Sequence, residues 1–275
     1  MAVNRRARVL LVNGALLLVA AVVLAPVAWM MSVSLMAPGE AMHAPAPMLP
    51  RHPTLIEYRK IFGDYALGVP MLNSVVVALL TTACSLALML PAGYAFAKLR
   101  FRGREATVRL LLALLIVPSQ IAMLPLFLLL KEVGLVNSFA GVVAPWLAGI
   151  FGVLFVRQAA QSLPDEMLDA ARMDGAGEWA IFRHIVEPLL RPISATLALF
   201  TFLGSWNDFM WPLIVLSDDR LYTLTVALAT LSREHAQNVE LMMAGAVVTT
   251  LPVLLVFLPL QRFYIGGMLG GAIKG

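Results

Sequence analysis

Hydrophobic residues in this chain are gathered in long runs that carry almost no charge. About 20 apolar residues, at 1.5 Å rise per residue, cross a hydrocarbon core of roughly 30 Å, so each run is long enough for a membrane helix. Apolar and polar residues do not alternate with period two in these runs, which disfavours membrane strands. The pattern therefore predicts six spans, at about 9–33, 70–97, 109–130, 138–157, 192–216 and 241–262.

Composition gives the same result by a separate route. The 275 residues are 60% hydrophobic and only 13% charged, and their mean hydropathy is +0.86, whereas soluble domains are roughly 25% charged. So few ionic side chains cannot cover the surface of a soluble domain of this size. We therefore expect an all-α integral membrane protein with one transmembrane domain over 1–275. We also expect the first run to be a retained anchor, because it is too long for a cleaved signal peptide.

The distribution of Lys and Arg predicts the orientation of the spans. With six spans, 14 of the 20 basic residues fall on one side, in the N-terminus, the second and fourth loops and the tail. Basic residues concentrate on the cytoplasmic side of membrane proteins, so both termini are expected in the cytoplasm. The net charge of +4 thus indicates orientation and not a nucleic-acid partner.

Residue chemistry disfavours several other classes of protein. The single cysteine, Cys84, excludes a disulfide framework, and the four histidines lack metal-ligand spacing, so no metal site is expected. No Gly-x-x-x-x-Gly-Lys-Ser/Thr sequence is present to hold a nucleotide phosphate. No nucleophile, base and orienting group stand out together, so the chain is not expected to be an enzyme or to bind a cofactor itself.

The segment 158–191, on the predicted cytoplasmic side, is unlike a simple connector. Ser162 followed by Asp165 has the spacing of a capping box, which predicts the start of a first short helix. The run 174–177 then supplies a turn. A second helix follows, with apolar residues predicted on one face at Trp179, Phe182, Ile185, Val186 and Leu189. Such an amphipathic pair is expected to lie along the membrane surface.

Within this segment the residues Asp169-Ala170-Ala171, Gly175, Ile185 and Pro188 resemble the EAA motif of the membrane subunits of binding-protein-dependent ABC importers. Asp169 stands where the motif has Glu, which keeps the carboxylate but shortens its reach. The flanking 171–176, 204–213 and 271–275 sequences resemble the carbohydrate branch, specifically the maltose-type second membrane subunit. The similarity extends over nearly the whole chain.

The resemblance implies the type I ABC permease fold, with six transmembrane helices and a cytoplasmic coupling helix. It implies that Asp169, Ala170, Ala171, Asp174, Gly175, Ile185 and Pro188 couple the chain to an ATPase. The implied partners are a homologous second permease subunit, two ABC ATPase subunits that bind ATP and Mg, an extracytoplasmic sugar-binding protein and the lipid of the cytoplasmic (inner) membrane. The segment 158–191 is called the coupling loop below.

Asp208 is the one ionisable residue inside a predicted span, which makes it a candidate for the translocation path. Its neighbours Trp206, Asn207 and Trp211 offer ring faces and a hydrogen-bonding amide of the kind that binds sugars. Alternatively, Asp208 anchors a helix bend before Pro212 and the two tryptophans belong to an aromatic belt. The sequence leaves both interpretations open.

Two further expectations complete the sequence-based picture. The exterior segments are expected to contact the binding protein, and 266–271 is expected to be too rich in glycine for a stable helix. The alternative function is an ion-coupled carrier that acts without an ATPase. That class needs repeated intramembrane ionisable residues or internal repeats, and neither is evident here.

Overall fold

A computed structural model describes residues 5–43, 45 and 47–272, and every regular element among them is helical. Fourteen α-helices are present in this part of the chain: α1 Arg5–Val33, α2 Ile56–Phe62, α3 Gly68–Lys98, α4 Arg104–Leu114, α5 Met123–Glu132, α6 Phe139–Val143, α7 Ile150–Gln161, α8 Asp165–Met173, α9 Glu178–Ile181, α10 Glu187–Leu189, α11 Arg191–Trp206, α12 Met210–Val215, α13 Leu224–Glu234 and α14 Val239–Ala272. The all-α expectation is confirmed for the described residues.

The helices are organised in two compact units. The first comprises 1–68 and 228–252, and the second comprises 69–227 and 253–275. In the first unit, α1 leaves its most apolar stretch unburied, with Leu10 72% and Leu17 72% exposed. Large aliphatic side chains at such exposure are suited to lipid and not to water. The unit's buried core includes Val33, Met36, Ile61 and Leu241.

In the part of the chain that the structure describes, three single helices have the length and apolar character to cross a membrane, in the ranges Arg8–Val33, Gly68–Lys98 and Val239–Pro259. Three bent helix pairs raise the number to as many as six. The pairs are Arg104–Leu114 with Ser119–Glu132, Phe139–Ala148 with Ile150–Gln161, and Glu178–Leu189 with Arg191–Trp206, bent by 99°, 41° and 79°.

The bent pairs depart from the straight spans that the apolar runs suggest. The run 109–130 is interrupted after α4, and a 3-10 turn at Ser119–Ala122 follows Pro118, which has an extended backbone. Proline lacks an N–H donor and disfavours a helical residue before it, which explains an interruption at this point. The run 192–216 is likewise divided, because α11 ends at Trp206 and α12 begins at Met210.

Two buried clusters form the interior of the second unit, and α3 contributes to both. Towards the start of α3, Val77 packs with residues of α5, α6 and α12, including Val142 and Trp211. Towards its end, Tyr94 packs with Val156 and with residues of the coupling loop. Gly93 allows the close approach of α7, because a Cβ at this position would lie 2.5 Å from the Val156 Cβ. α3 is therefore the element that connects the two clusters.

The last helix corrects one expectation. The backbone at 266–271 is helical up to Ala272, although four of these six residues are glycine. Each glycine costs about 1 kcal/mol relative to alanine, but the preceding 27 residues of α14 already supply the helix nucleus, so only propagation is weakened. The last residues of the resembling 271–275 sequence, 273–275, lie outside the described residues.

Candidate functional sites

The coupling loop folds as two helical segments joined by a Schellman turn. α8 ends at Met173, and Gly175 adopts a left-handed backbone with φ +81°. The Ala176 N–H donates to the Ala171 carbonyl and the Gly175 N–H donates to the Arg172 carbonyl, both at 3.0 Å, which is the paired pattern of that turn. Only glycine adopts this conformation without cost, so the glycine of the motif has a backbone role.

The capping box expected at Ser162 is absent. The Ser162 hydroxyl instead donates to the Ala159 carbonyl at the end of α7, and Pro164, in an extended conformation, is the residue before α8. Proline at this position offers no side-chain oxygen to the first N–H groups of the helix. Asp165, the first residue of α8, is paired instead: its carboxylate accepts from Lys98 Nζ at 2.6 Å.

The first helix of the coupling loop, α8, has an inward and an outward face. Leu168 is 1% exposed, and Met167 and Ala171 pack against the buried cluster. Ala170 and Met173 face outward, the latter 88% exposed. Ala170 therefore belongs to the surface of the loop, whereas Ala171, the second alanine of the motif, belongs to its packing.

The second segment buries part of the expected face. Phe182 and Val186 are buried as expected, together with Ile181, whereas Trp179 is 68% and Leu189 50% exposed. A π-helical turn over Phe182–Val186 widens the helix there and shifts the register between Trp179 and Leu189. Simple helical periodicity could not reveal this insertion. Ile185 and Pro188 of the motif are both half-buried, and Ile185 packs against the cluster.

A charged network crosses the coupling loop from one helical segment to the other. Arg172 donates from Nη1 to Asp169 Oδ1 and from Nε to Glu178 Oε1, both at 2.7 Å. The hydroxyl of Tyr94, on α3, donates to Glu178 Oε2 at 2.7 Å. Asp169 is therefore paired within the loop in this structure, with a side chain that is still 66% exposed. Sequence reasoning missed Glu178 and Tyr94, because their pairing is 84 residues apart in the chain.

Lys98 is the second α3 residue that reaches the loop. Its ammonium donates to the Leu163 carbonyl and to Asp165 Oδ1, both at 2.6 Å, and its side chain is only 7% exposed. This hydrogen bond with Lys98 lowers the pKa of Asp165 below its ordinary value of 3.8. The carboxylate therefore stays ionised, and the pair stays formed, as pH falls towards that value.

The group proposed around Asp208 lies at the break between α11 and α12. Trp206 is 1% and Trp211 4% exposed, and the Trp211 indole N–H donates to the Gly141 carbonyl at 3.1 Å. Both rings are thus engaged in packing, while Asn207 is exposed and Asp208 half-buried. The structure brings the four residues together at one break, with both rings in packing contacts.

Asp208 has structural partners at this break. Its Oδ1 accepts from the backbone N–H of Trp211 at 3.3 Å, so it satisfies an N–H of the first turn of α12 as a capping side chain does, although Phe209 is the N-cap residue. The Trp146 side chain also hydrogen-bonds the carboxylate. The Trp146 ring packs directly over Gly204, where a Cβ would lie 2.7 Å from the ring. Trp146 is a further residue at this place that sequence reasoning did not identify.

An open cleft of about 530 Å³ lies in the first unit, lined by Pro38, Gly39, 233–238 and Glu240. Glu40 shapes the adjoining segment, since its carboxylate accepts from the N–H groups of Arg51 at 2.6 Å and Ala37 at 3.0 Å. These bonds, that with Arg51 first, lower the pKa of Glu40 below its ordinary 4.5. Glu240 Oε1 accepts from the Ala41 N–H at 2.8 Å.

Comparison with known proteins gives a consistent result. Residues 89–266 match the family described as binding-protein-dependent transport system inner membrane component. The arabinooligosaccharides transport system permease protein of Halalkalibacterium halodurans is 40% identical over 203 residues, which cover 74% of this chain and 73% of that protein. The lactose transport system permease protein of Rhizobium radiobacter is 38% identical over 198 residues, 72% of each chain.

A third relative covers almost the whole chain. The diacetylchitobiose uptake system permease protein of Streptomyces coelicolor is 32% identical over 263 residues, 94% of this chain and 87% of that protein. Among solved structures, a chain of a bacterial ABC transporter involved in the import of the acidic polysaccharide alginate superposes with a TM-score of 0.82 at 22% identity. The superposition covers 96% of this chain and 99% of that one. At this identity the likeness shows a shared fold.

Proposed function

Because the chain belongs to the family of binding-protein-dependent transport system inner membrane components, we propose that it carries a saccharide across the inner membrane. It is the permease subunit of an ABC importer, which is a multi-pass transport subunit and not an enzyme. The alternative function, an ion-coupled carrier that acts without an ATPase, is not supported. The named relatives transport arabinooligosaccharides, lactose and diacetylchitobiose. All three substrates are saccharides of different composition, so they support the class of substrate and not one sugar.

The outward face of α8 is the proposed contact with an ATPase subunit. Ala170 and Met173 lie three residues apart on this face, followed by exposed Asp174 and the Gly175 turn. A small residue beside a flexible methionine permits close approach of a partner surface. Asp169, which is two-thirds exposed, adds a carboxylate at the edge, while Ala171, Ile185 and Pro188 support the loop from within. ATP and Mg are bound by that partner, since this chain has no phosphate-binding sequence.

The other partners follow from the same assignment. An ABC importer permease works with ATPase and solute-binding partners in general. We assign to this one a homologous second permease subunit and two ATPase subunits, and we expect the binding protein at the cleft beside Gly39 and Glu240. The clustering of basic residues supports an orientation with both termini in the cytoplasm, which places this cleft outside.

The break between α11 and α12 is the proposed part of this subunit that borders the translocation path. Non-helical backbone at membrane depth is tolerated where it is buried in protein or lines a water-filled cavity. Asn207 is exposed there; its amide nitrogen donates to the Leu203 carbonyl at 2.8 Å, and its amide oxygen is the group suited to accept from sugar hydroxyl groups. Asp208 and the buried Trp206 and Trp211 hold the break behind it.

The exposed α8 face is the observation that carries the functional assignment, and Ala170→Arg tests it. A large cationic side chain on a close-packed docking face should reduce recovery of the ATPase with the purified permease by about tenfold, since unrelieved overpacking typically costs roughly 1–3 kcal/mol. Ala106→Arg, at an exposed alanine of α4, is the matched control. Equal recovery of the ATPase with Ala170→Arg and Ala106→Arg would refute docking through this face.

A further inference from the structure

The last turn of α3 holds the beginnings of both coupling segments. Tyr94 and Lys98 are four residues apart and therefore lie on one face of α3. Tyr94 donates to Glu178, the first residue of α9, and Lys98 donates to Asp165, the first residue of α8. These two residues are called the α3 anchor below.

The α3 anchor is unusually well enclosed for a pair of polar side chains. Tyr94 is 3% exposed, and its ring lies 5.7 Å from that of Phe182, which in turn lies 5.3 Å from the ring of Trp179. The Lys98 side chain is 7% exposed and makes a second bond, to the Leu163 carbonyl. Breaking the Tyr94 contact would leave a buried hydroxyl without its partner, whereas Lys98 would keep its bond to the Leu163 carbonyl and the 74% exposed Asp165 would turn to solvent.

The same end of α3 is also attached to α7. Gly93 packs against Val156, and Arg157 Nε donates to the Phe96 carbonyl at 3.3 Å. α3 extends over 31 residues and contributes Val77 to the second buried cluster, which also contains Trp211. One continuous helix thus runs from the coupling loop to the residues that support the break at 207–209.

We propose that the α3 anchor makes α3 the element through which movement of the coupling loop reaches the translocation path. Tyr94 and Lys98 are positioning residues in this scheme: they hold α8 and α9 at their first residues, on either side of the Gly175 turn. When the ATPase subunit moves against the outward face of α8, the end of α3 is then displaced together with the coupling loop. The proposal rests on the assignment of the chain as an ABC importer permease and extends it to residues outside the motif.

The test uses the assembled importer in proteoliposomes, with sugar uptake and ATP hydrolysis measured together. Tyr94→Phe removes only the hydroxyl and keeps the ring on Phe182, and Lys98→Met keeps the length of the chain without the charge. Combined, they should lower uptake per ATP hydrolysed by about tenfold or more, the range that a lost hydrogen bond to a charged group suggests. ATPase recovery with the purified permease should be unchanged, because the outward face of α8 is not altered.

Two matched variants control for the chemistry of the substitutions. Tyr58→Phe removes a hydroxyl that donates to Ser34 Oγ at 2.8 Å, and Arg109→Met removes an exposed cation of α4 whose Nε donates to the Glu105 carbonyl at 3.4 Å. Both should keep wild-type uptake per ATP. Thermal unfolding of all variants separates coupling from stability, since Tyr94→Phe alone should lower the coupling ratio even where its melting temperature equals that of Tyr58→Phe.

The outcomes separate the two proposals. If the unmodified importer is coupled and the Tyr94→Phe, Lys98→Met variant is equally coupled, the α3 anchor has no role in transmission and the inference is overturned. If the unmodified chain recovers no ATPase and supports no ATP-dependent uptake, the proposed function fails, and the inference that rests on it fails too. A selective loss of uptake per ATP in the anchor variants supports both.

Discussion

Asp208 shows how the surroundings of a residue decide its role. A carboxylate inside an apolar run invites a functional interpretation, because its burial is costly unless it is partnered. In this structure it caps α12 through the Trp211 N–H and receives a bond from Trp146. Those partners are sufficient reason for a carboxylate at this break. The bend-anchor interpretation, which the sequence leaves open, is therefore the one that the geometry favours.

Substitution of Asp208 distinguishes a cap from a charge in the path. Asparagine is as good a cap as aspartate, so Asp208→Asn should retain most uptake, whereas Asp208→Ala should destabilise the protein by about 1 kcal/mol through loss of the cap. The measurements are sugar uptake with saturating binding protein and thermal unfolding in detergent. A stable Asp208→Asn variant that has lost uptake would show that the negative charge itself serves transport.

Among the elements, the coupling loop is a case in which backbone conformation matters more than side-chain identity. Gly175 has φ +81° with open space around its missing Cβ, and Gly177, two residues later, has the ordinary φ of −73° and equally open space. Steric crowding thus cannot explain a different effect of alanine at Gly175 and at Gly177. Only the left-handed backbone at Gly175 distinguishes them.

We expect Gly175→Ala to strain the Schellman turn by about 1–2 kcal/mol, because a Cβ is disfavoured in the left-handed region. Uptake per ATP hydrolysed should fall while membrane insertion stays normal, since the spans are not altered. Gly177→Ala is the matched control and should leave transport intact. The same uptake per ATP hydrolysed in Gly175→Ala and Gly177→Ala, whether normal or reduced, would contradict a backbone role that is specific to Gly175.

For the molecule as a whole, orientation is the property that most needs a direct measurement. Met173 is 88% exposed in the coupling loop and Met48 is 78% exposed in the segment between α1 and α2. Cysteine at either position can be labelled by a membrane-impermeant maleimide once Cys84, the single native cysteine, is replaced by serine.

The positive-inside distribution predicts the result of this labelling. In intact spheroplasts that express the permease without its ATPase, Met48→Cys should react and Met173→Cys should not, and permeabilisation should expose Met173→Cys. The Cys84→Ser parent, which should stay unlabelled, is the control. Reaction of Met173→Cys from outside would reverse the assigned topology and with it the side on which the ATPase is proposed to dock.

The fold class, the approximate spans and the position of the coupling loop follow from local patterns in the sequence. Long uncharged runs require helices, since lipid satisfies no backbone hydrogen bonds, and that determines the all-α fold and the approximate positions of the spans. The spacing of Asp169, Ala170, Ala171 and Gly175 identifies the coupling loop, because a turn between two short helices needs glycine at one position in the left-handed region. These features depend on residues close together in the chain.

The features that local patterns do not predict depend on residues far apart in the chain. The π turn at Phe182–Val186 is not predicted by periodicity, and its residues Phe182 and Val186 pack in the cluster that also contains α3 and α7 residues. The bonds from Tyr94 to Glu178 and from Lys98 to Asp165 join positions 84 and 67 residues apart. Trp211 is similarly buried among residues of α3, α5 and α6. A linear pattern records the chemistry of each side chain, whereas only the folded chain determines which side chains meet.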